Sequence, residues 1–331
     1  MSVEHVPLRT FRVLRGVWLA GTILLSVGAY ALAIGLAPAG ATTPGRALGP
    51  LLFLGSSVHV AATGWFYTVP EIRAHALTHR GRYVYAPAAL IAGTALAAMV
   101  VPERWIQWAL IGYFGWQFFH FQKQNLGLAA LAGVAQRGGS LMVLERRAIV
   151  LAGIAGIAGL VVHPDLLQLV VDTRVRFLFP LSAGVFAAGV AIGLYALARR
   201  SARPPAFVAI YLISLLFFLP VFVFHSPYAA VAGLTIAHGY QYLLIVGMVA
   251  GAPQSGMRGL TVMMTIALLG GMALSYASHL HGSPAGLERA LYGAYLGAVM
   301  AHFVIDAGLW RLRDEFPRRF LTARLPYLLG R

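Results

Sequence analysis

The run Tyr113–Leu128, YFGWQFFHFQKQNLGL, sets Gln117, His120, Gln122, Lys123, Gln124 and Asn125 inside an otherwise apolar and aromatic segment. A polar side chain at membrane depth is costly unless it faces a protein interior or a water-filled cavity. The segment therefore reads as a membrane helix that turns its polar face into a bundle. That face marks a candidate site.

The rest of the chain agrees with a bilayer setting. Of 331 residues, 59% are hydrophobic and 11% charged, and the mean hydropathy is +0.76, well outside the range of soluble domains. The absence of cysteine removes disulfides, thiolate metal sites and a Cys nucleophile, so a metal would fall to His, Asp, Glu or backbone oxygen. The net charge of +15 does not point to nucleic acid, because the arginines are scattered over short loops and form no continuous face.

About ten apolar segments are long enough to cross a ~30 Å hydrocarbon core as helices. Their cores are 16–36, 48–69, 84–101, 104–132, 148–162, 177–198, 206–224, 228–250, 259–278 and 288–309. With the N-terminus in the cytoplasm, 19 arginines fall inside and 5 outside, as the positive-inside rule requires of an even number of spans. The expected fold is an all-α polytopic integral membrane bundle. Residues 1–331 form one membrane domain with both termini cytoplasmic, and 310–331 form a basic cytoplasmic tail. The expected location is the bacterial inner membrane. The fourth segment with its flanks, Glu103 to Ala135, is too long for one perpendicular crossing, so it must tilt, break or protrude.

Directions assigned in this way put His59, His120, His238 and His302 at similar depths on four helices that run the same way. Each has polar company one turn on, since i+3 and i+4 share a face: Thr63, Lys123 and Gln124, Gln241, and Asp306. Asp306 is the one acid placed within a span. Neutral imidazoles with a carboxylate and no thiolate suit a transition metal, iron first, with zinc and copper as alternatives. The expected metal ligands are His59, His120, His238, His302 and Asp306, joined by His75 and His79, whose i, i+4 spacing lets one helix chelate one ion. Lys123, Asp306, Gln124 and Gln241 are the expected catalytic or orienting groups. Trp65, Trp116, Gln117 and Asn125 are the expected walls of the cofactor or substrate pocket. A second group, His163, His225, His279 and His281, lies at the opposite face and reads as loop chemistry.

The HxxxH at His75 and His79 is similar in design to a histidine box of the membrane desaturases and hydroxylases, which bind two irons near the cytoplasmic face. The chain has no HxxHH, and that fold has fewer spans. The reading is a membrane-embedded His/Asp metal enzyme, an oxidoreductase acting on a lipid or other apolar substrate, with an electron-donor protein on the cytoplasmic side. Three alternatives use the same residues: a proton-coupled transporter or permease, a haem-binding cytochrome with paired axial histidines, and a structural protein whose polar residues only join helices.

Overall fold

The computed structural model describes residues 8–37, 45–283 and 286–330. The extreme termini, on which the expectation of two cytoplasmic ends bears, lie outside these. Among the described residues every regular element is helical and there is no strand. The longer elements are α1 (Leu8–Gly35), α2 (Gly45–Phe53), α5 (Ala86–Val100), α6 (Glu103–Ala135), α7 (Val143–Val162), α8 (Phe179–Arg199), α9 (Pro205–Leu215), α11 (Gly233–Ala250), α12 (Gly256–Ser278) and α13 (Gly286–Leu309). Shorter pieces are α3 (His59–Ala62), α4 (Pro70–Thr78), α10 (Leu219–Val223), α14 (Glu315–Arg324) and α15 (Pro326–Leu329).

Seven helical stretches are long and apolar enough to cross a membrane: 9–35, 45–68, 81–100, 176–199, 228–250, 256–278 and 286–309. α6 and α7 have the length but not the composition, because α6 carries its polar run and α7 begins with Glu145, Arg146 and Arg147. The expected span at 206–224 is divided into α9 and α10, with Pro220 in the first turn of the second piece. α6 is one unbroken helix of 33 residues, so its excess length is taken up without the break that its polar run suggested.

Proline shapes several entries to the core. Pro87 has no N–H to give the carbonyl of Tyr83, and the Tyr67 hydroxyl donates to that carbonyl instead at 2.6 Å. Tyr30 donates in the same way to Phe217 O at 3.0 Å, in the gap between α9 and α10. Widened π turns at Leu54–Val58 and Tyr228–Ala232, near Pro50 and Pro227, lead into the helices that carry His59 and His238. Such turns re-aim the side chains that follow them.

Small residues let the helices touch backbone to backbone. α13 lies on α5 through Gly293 and Gly297, whose faces meet the backbone of residues 90–94, and Thr94 Oγ1 donates to Gly293 O at 2.7 Å. The turn at Leu54–Val58 lies on α11 through Gly55 and Gly239, and a Cβ on Gly239 would overlap the Gly55 carbonyl.

One buried ion pair ties the ends of α7 and α8. Arg200 donates to Glu145 at 2.7 Å with both side chains buried, and its remaining N–H groups reach the carbonyls of Gly138, Gly139 and Ala202. Removing one partner strands the other charge, so Arg200→Gln is expected to cost ~3–5 kcal/mol, with Glu145→Gln/Arg200→Gln recovering part of it. Thermal unfolding in detergent checks the order. A single variant no less stable than the double would refute it.

The segment after Leu309 differs from a free basic tail. α14 and α15 fold back on the bundle, burying Phe320, Leu321, Leu325 and Leu328. Arg324 is buried as well: it lies over the Phe320 ring at 3.9 Å and donates to Glu71 at 3.2 Å.

Candidate metal centre

The four histidines expected at one depth come together. His59 at the start of α3, His120 in α6, His238 in α11 and His302 in α13 form a ring, each beside two others. The centroid distances are 5.0 Å for His59–His238, 5.0 Å for His238–His120, 5.0 Å for His120–His302 and 5.1 Å for His302–His59. His59, His238 and His302 are buried. The Nε2 atoms of all four are also buried and accept or donate no hydrogen bond.

Sequence offsets show how the carrier helices run. The residues three positions before each histidine, Ser56, Gln117, Thr235 and Val299, all line one cavity of about 20 Å³. The residues four positions after, Thr63, Gln124, Tyr242 and Asp306, all lie in the hydrogen-bonded layer on the other side. Four helices can share both layers only if they point the same way, because i−3 and i+4 project to opposite sides along each axis.

The lower layer fixes one imidazole. Tyr242 donates to Asp306 Oδ1 at 2.9 Å. Its one hydroxyl proton is then used, so its 2.8 Å contact with Thr63 Oγ1 is donated by Thr63. Thr63 must in turn accept at 2.6 Å from His302 Nδ1, which puts the ring proton on Nδ1 and leaves a lone pair on Nε2. A ligating histidine held through its other nitrogen by a chain ending on a carboxylate is the usual outer arrangement of a metal site. Tyr242→Phe breaks the chain without opening a large cavity, and metal affinity is expected to fall ~10–100-fold. Competition with a chromophoric chelator measures it.

Aromatic rings hold two more imidazoles in plane. Phe121 stacks on His238 at 3.9 Å and Phe303 on His120 at 4.5 Å. The ligand atoms of His59, His238 and His302 lie within 4.8 Å of one another, as do those of His120, His302 and Asp306. An ion bound at roughly 2.0–2.1 Å sits about 3.2 Å from each imidazole centre, so tetrahedral partners have centres about 5.2 Å apart. The four adjacent pairs lie near that spacing, and the buried cluster could hold a metal ion on His59, His238 and His302 or on His120, His302 and Asp306.

Other expected residues are placed elsewhere. His75 and His79 lie outside the ring, in and just after α4. Their rings are 4.2 Å apart and tilted by 34°, His75 is stacked on Phe316 at 4.0 Å, and neither belongs to a group of three close ligand atoms among the described residues. Lys123 lies on the exposed face of α6 with Nζ 5.3 Å from the Phe119 ring, and Asp306 takes its hydrogen bond from Tyr242 instead. Gln124 does not orient His120; it donates to the backbone carbonyl of His238 at 2.9 Å and to Gln241 Oε1 at 3.0 Å. Gln241 continues to Ser26 Oγ at 2.7 Å, joining α11 to α1.

Of the expected pocket walls, Gln117 lines the cavity. Trp116 lies behind Phe303 at 5.7 Å, Trp65 is buried against Phe66, and Asn125 is buried with its carbonyl taken by Ser214 at 3.1 Å. Thr63 serves His302, not His59. At the opposite face, His279 and His281 bond to carbonyls of their own turn, and His163 lies 3.9 Å from Asp165. Tyr242 is the member of the site that sequence reasoning passed over. It stands four residues after His238, at the same offset that picked out Gln124 and Asp306.

Comparison of the chain with protein-family models, with curated proteins and with solved structures finds no match.

Proposed function

We propose that this is a membrane-embedded metal enzyme, an oxidoreductase that holds a transition metal on His59, His120, His238 and His302 and acts on an apolar or lipidic substrate. The observation that carries the reading is a ring of four imidazoles whose buried Nε2 atoms have no hydrogen bond, with His302 shared between two groups of close ligand atoms, His59–His238–His302 and His120–His302–Asp306. Leaving that many polar atoms unpaired is costly, and a shared cation relieves all of them at once. Imidazole donors without thiolate suit iron, zinc or copper, and an oxidoreductase reading takes iron first. The metal supplies the redox chemistry when bound.

The protein's own groups divide the remaining work. Thr63, Tyr242 and Asp306 hold His302 in the ligating tautomer. On the other side Phe121, Tyr113, Tyr295 and Phe303 wall the small cavity next to His59, room for about one water-sized group, and Ser56, Gln117 and Thr235 can orient a polar atom placed there. Haem fits poorly, because four imidazoles about 5 Å apart leave no slot for a macrocycle. The like-directed helices support ten crossings, with α5 returning the chain between His59 and His120, α7, α8 and α9–α10 between His120 and His238, and α12 between His238 and His302. With that count, the arginine distribution is our ground for reading both termini as cytoplasmic.

Elemental analysis tests the centre: protein purified without chelators is expected to carry about one equivalent of transition metal, iron foremost. Oxygen uptake with a chemical reductant and a membrane lipid extract tests the reaction. Protein that stays metal-free after expression in iron-, zinc- and copper-supplemented medium would overturn the proposal.

A further inference from the structure

A second cavity lies at the membrane-proximal end of the bundle, away from the histidine ring. It is a cleft of about 940 Å³ between the region 75–83, the end of α13 and the start of α14. Two candidate spans begin or end at its walls, one beginning at 81 and one ending at 309, and α4 links it to a third that ends at 68. The cleft therefore sits where lipid headgroups and water meet.

Its charge is arranged unevenly. Arg80, Arg82 and Arg319 line it, and among the described residues none of them is in an ion pair. Of the two acids present, Asp314 is already within 3.7 Å of Arg311 and 3.9 Å of Arg313, which leaves Glu315 against three guanidinium groups. One wall is a row of three rings: Phe316 stacks on His75 at 4.0 Å, and His79 lies 4.2 Å from His75, tilted by 34°. His79 Nδ1 is committed to the carbonyl of His75 at 3.0 Å and to Thr78 Oγ1 at 2.9 Å. Burial, and then the neighbouring His79, push His75 below the ordinary histidine range, so His75 is neutral at pH 7 and the positive charge of the cleft belongs to the arginines.

We propose that this cleft binds a phosphorylated ligand, its phosphate held by Arg82 and Arg319 with Arg80 at the rim. Guanidinium forks match phosphate oxygens in pairs and stay charged at all physiological pH values. A volume of this size takes a phosphate ester with part of its organic moiety, and the exposed ring of His79 offers that moiety a flat surface. Two sources supply the same chemistry: a phospholipid headgroup from the adjoining leaflet, or a soluble phosphate ester.

Two arms distinguish them, both on the full-length protein. In the first, delipidated protein in a non-ionic detergent is titrated calorimetrically with pyrophosphate. In the second, protein in phosphatidylcholine nanodiscs with or without phosphatidic acid is released and its retained lipid counted by native mass spectrometry. Arg82→Gln/Arg319→Gln is expected to weaken pyrophosphate binding or phosphatidic acid retention about tenfold or more. Arg73→Gln/Arg318→Gln, which removes equal charge from exposed residues near the cleft but outside its lining, is expected to change either by less than about twofold. A response in the first arm alone assigns a soluble ester, and one in the second alone a headgroup. Equal losses in the two variants, or no binding in either arm, would overturn the proposal.

Discussion

His302→Ala is expected to reduce bound metal to background, whereas His79→Ala keeps the wild-type content. His302 belongs to both clusters of converging ligand atoms, and it is the histidine whose tautomer is set by Thr63, Tyr242 and Asp306. Removing it takes away a ligand and ends the chain that fixes the geometry. Three remaining imidazoles can still approach an ion, but with no anchored ring among them the loss is expected to exceed the ~10–100-fold of an outer-layer change. His79, with its ring outside the cluster and its Nδ1 turned to its own helix, should be silent in this measurement. Inductively coupled plasma mass spectrometry on both variants, scaled to protein by amino-acid analysis, reads the difference. Equal metal content in the two would remove His302 from the centre.

The other large effect is expected from a residue with no side chain. Gly239 lies directly against the Gly55 carbonyl, and on the reciprocal side a Cβ at Gly55 would come within 2.7 Å of Ile236 Cα. Nothing flexible stands between the two segments, so any added carbon must separate the helices. His238 adjoins Gly239, and His59 lies one turn after Gly55, so separation enlarges the 5.0 Å gap between the two imidazoles. Gly239→Val is expected to destabilise the fold toward the upper end of ~1–3 kcal/mol and to lower metal affinity together with it. Gly127→Val, where a Cβ meets open space, is the control. Chelator competition on folded protein separates the two losses: a Gly239 variant that melts early yet binds metal as tightly as wild type would show that the close approach serves stability alone.

Much of the site can be read in the chain because two periodicities coincide. Alternating helix direction predicts that His59, His120, His238 and His302 share a level, and the helical repeat predicts that their i+4 neighbours share a side. The structure brings both sets together. What could not be read was the pairing within each set. Thr63 follows His59 in sequence but bonds to His302, and Gln124 follows His120 but bonds to the backbone of His238, since each side chain reaches across to the helix in front of it. Lys123, expected among the catalytic groups, is one residue out of phase with Gln124, and 100° of helical rotation is enough to send it to the outer face. His75 and His79 have a chelating spacing, but a ring stack with Phe316, 241 residues away in the chain, decides their orientation.

The like-directed arrangement of the four histidine helices also bears on how the protein is made. The ring closes through residues 59, 120, 238 and 302, and the helix bearing the last of these must be delivered by the translocon and turned to match the other three. During synthesis the first three imidazoles are therefore in place before the fourth exists. The ring as a unit can form only after α13 has inserted, so a metal held as proposed would be acquired after insertion and not during it.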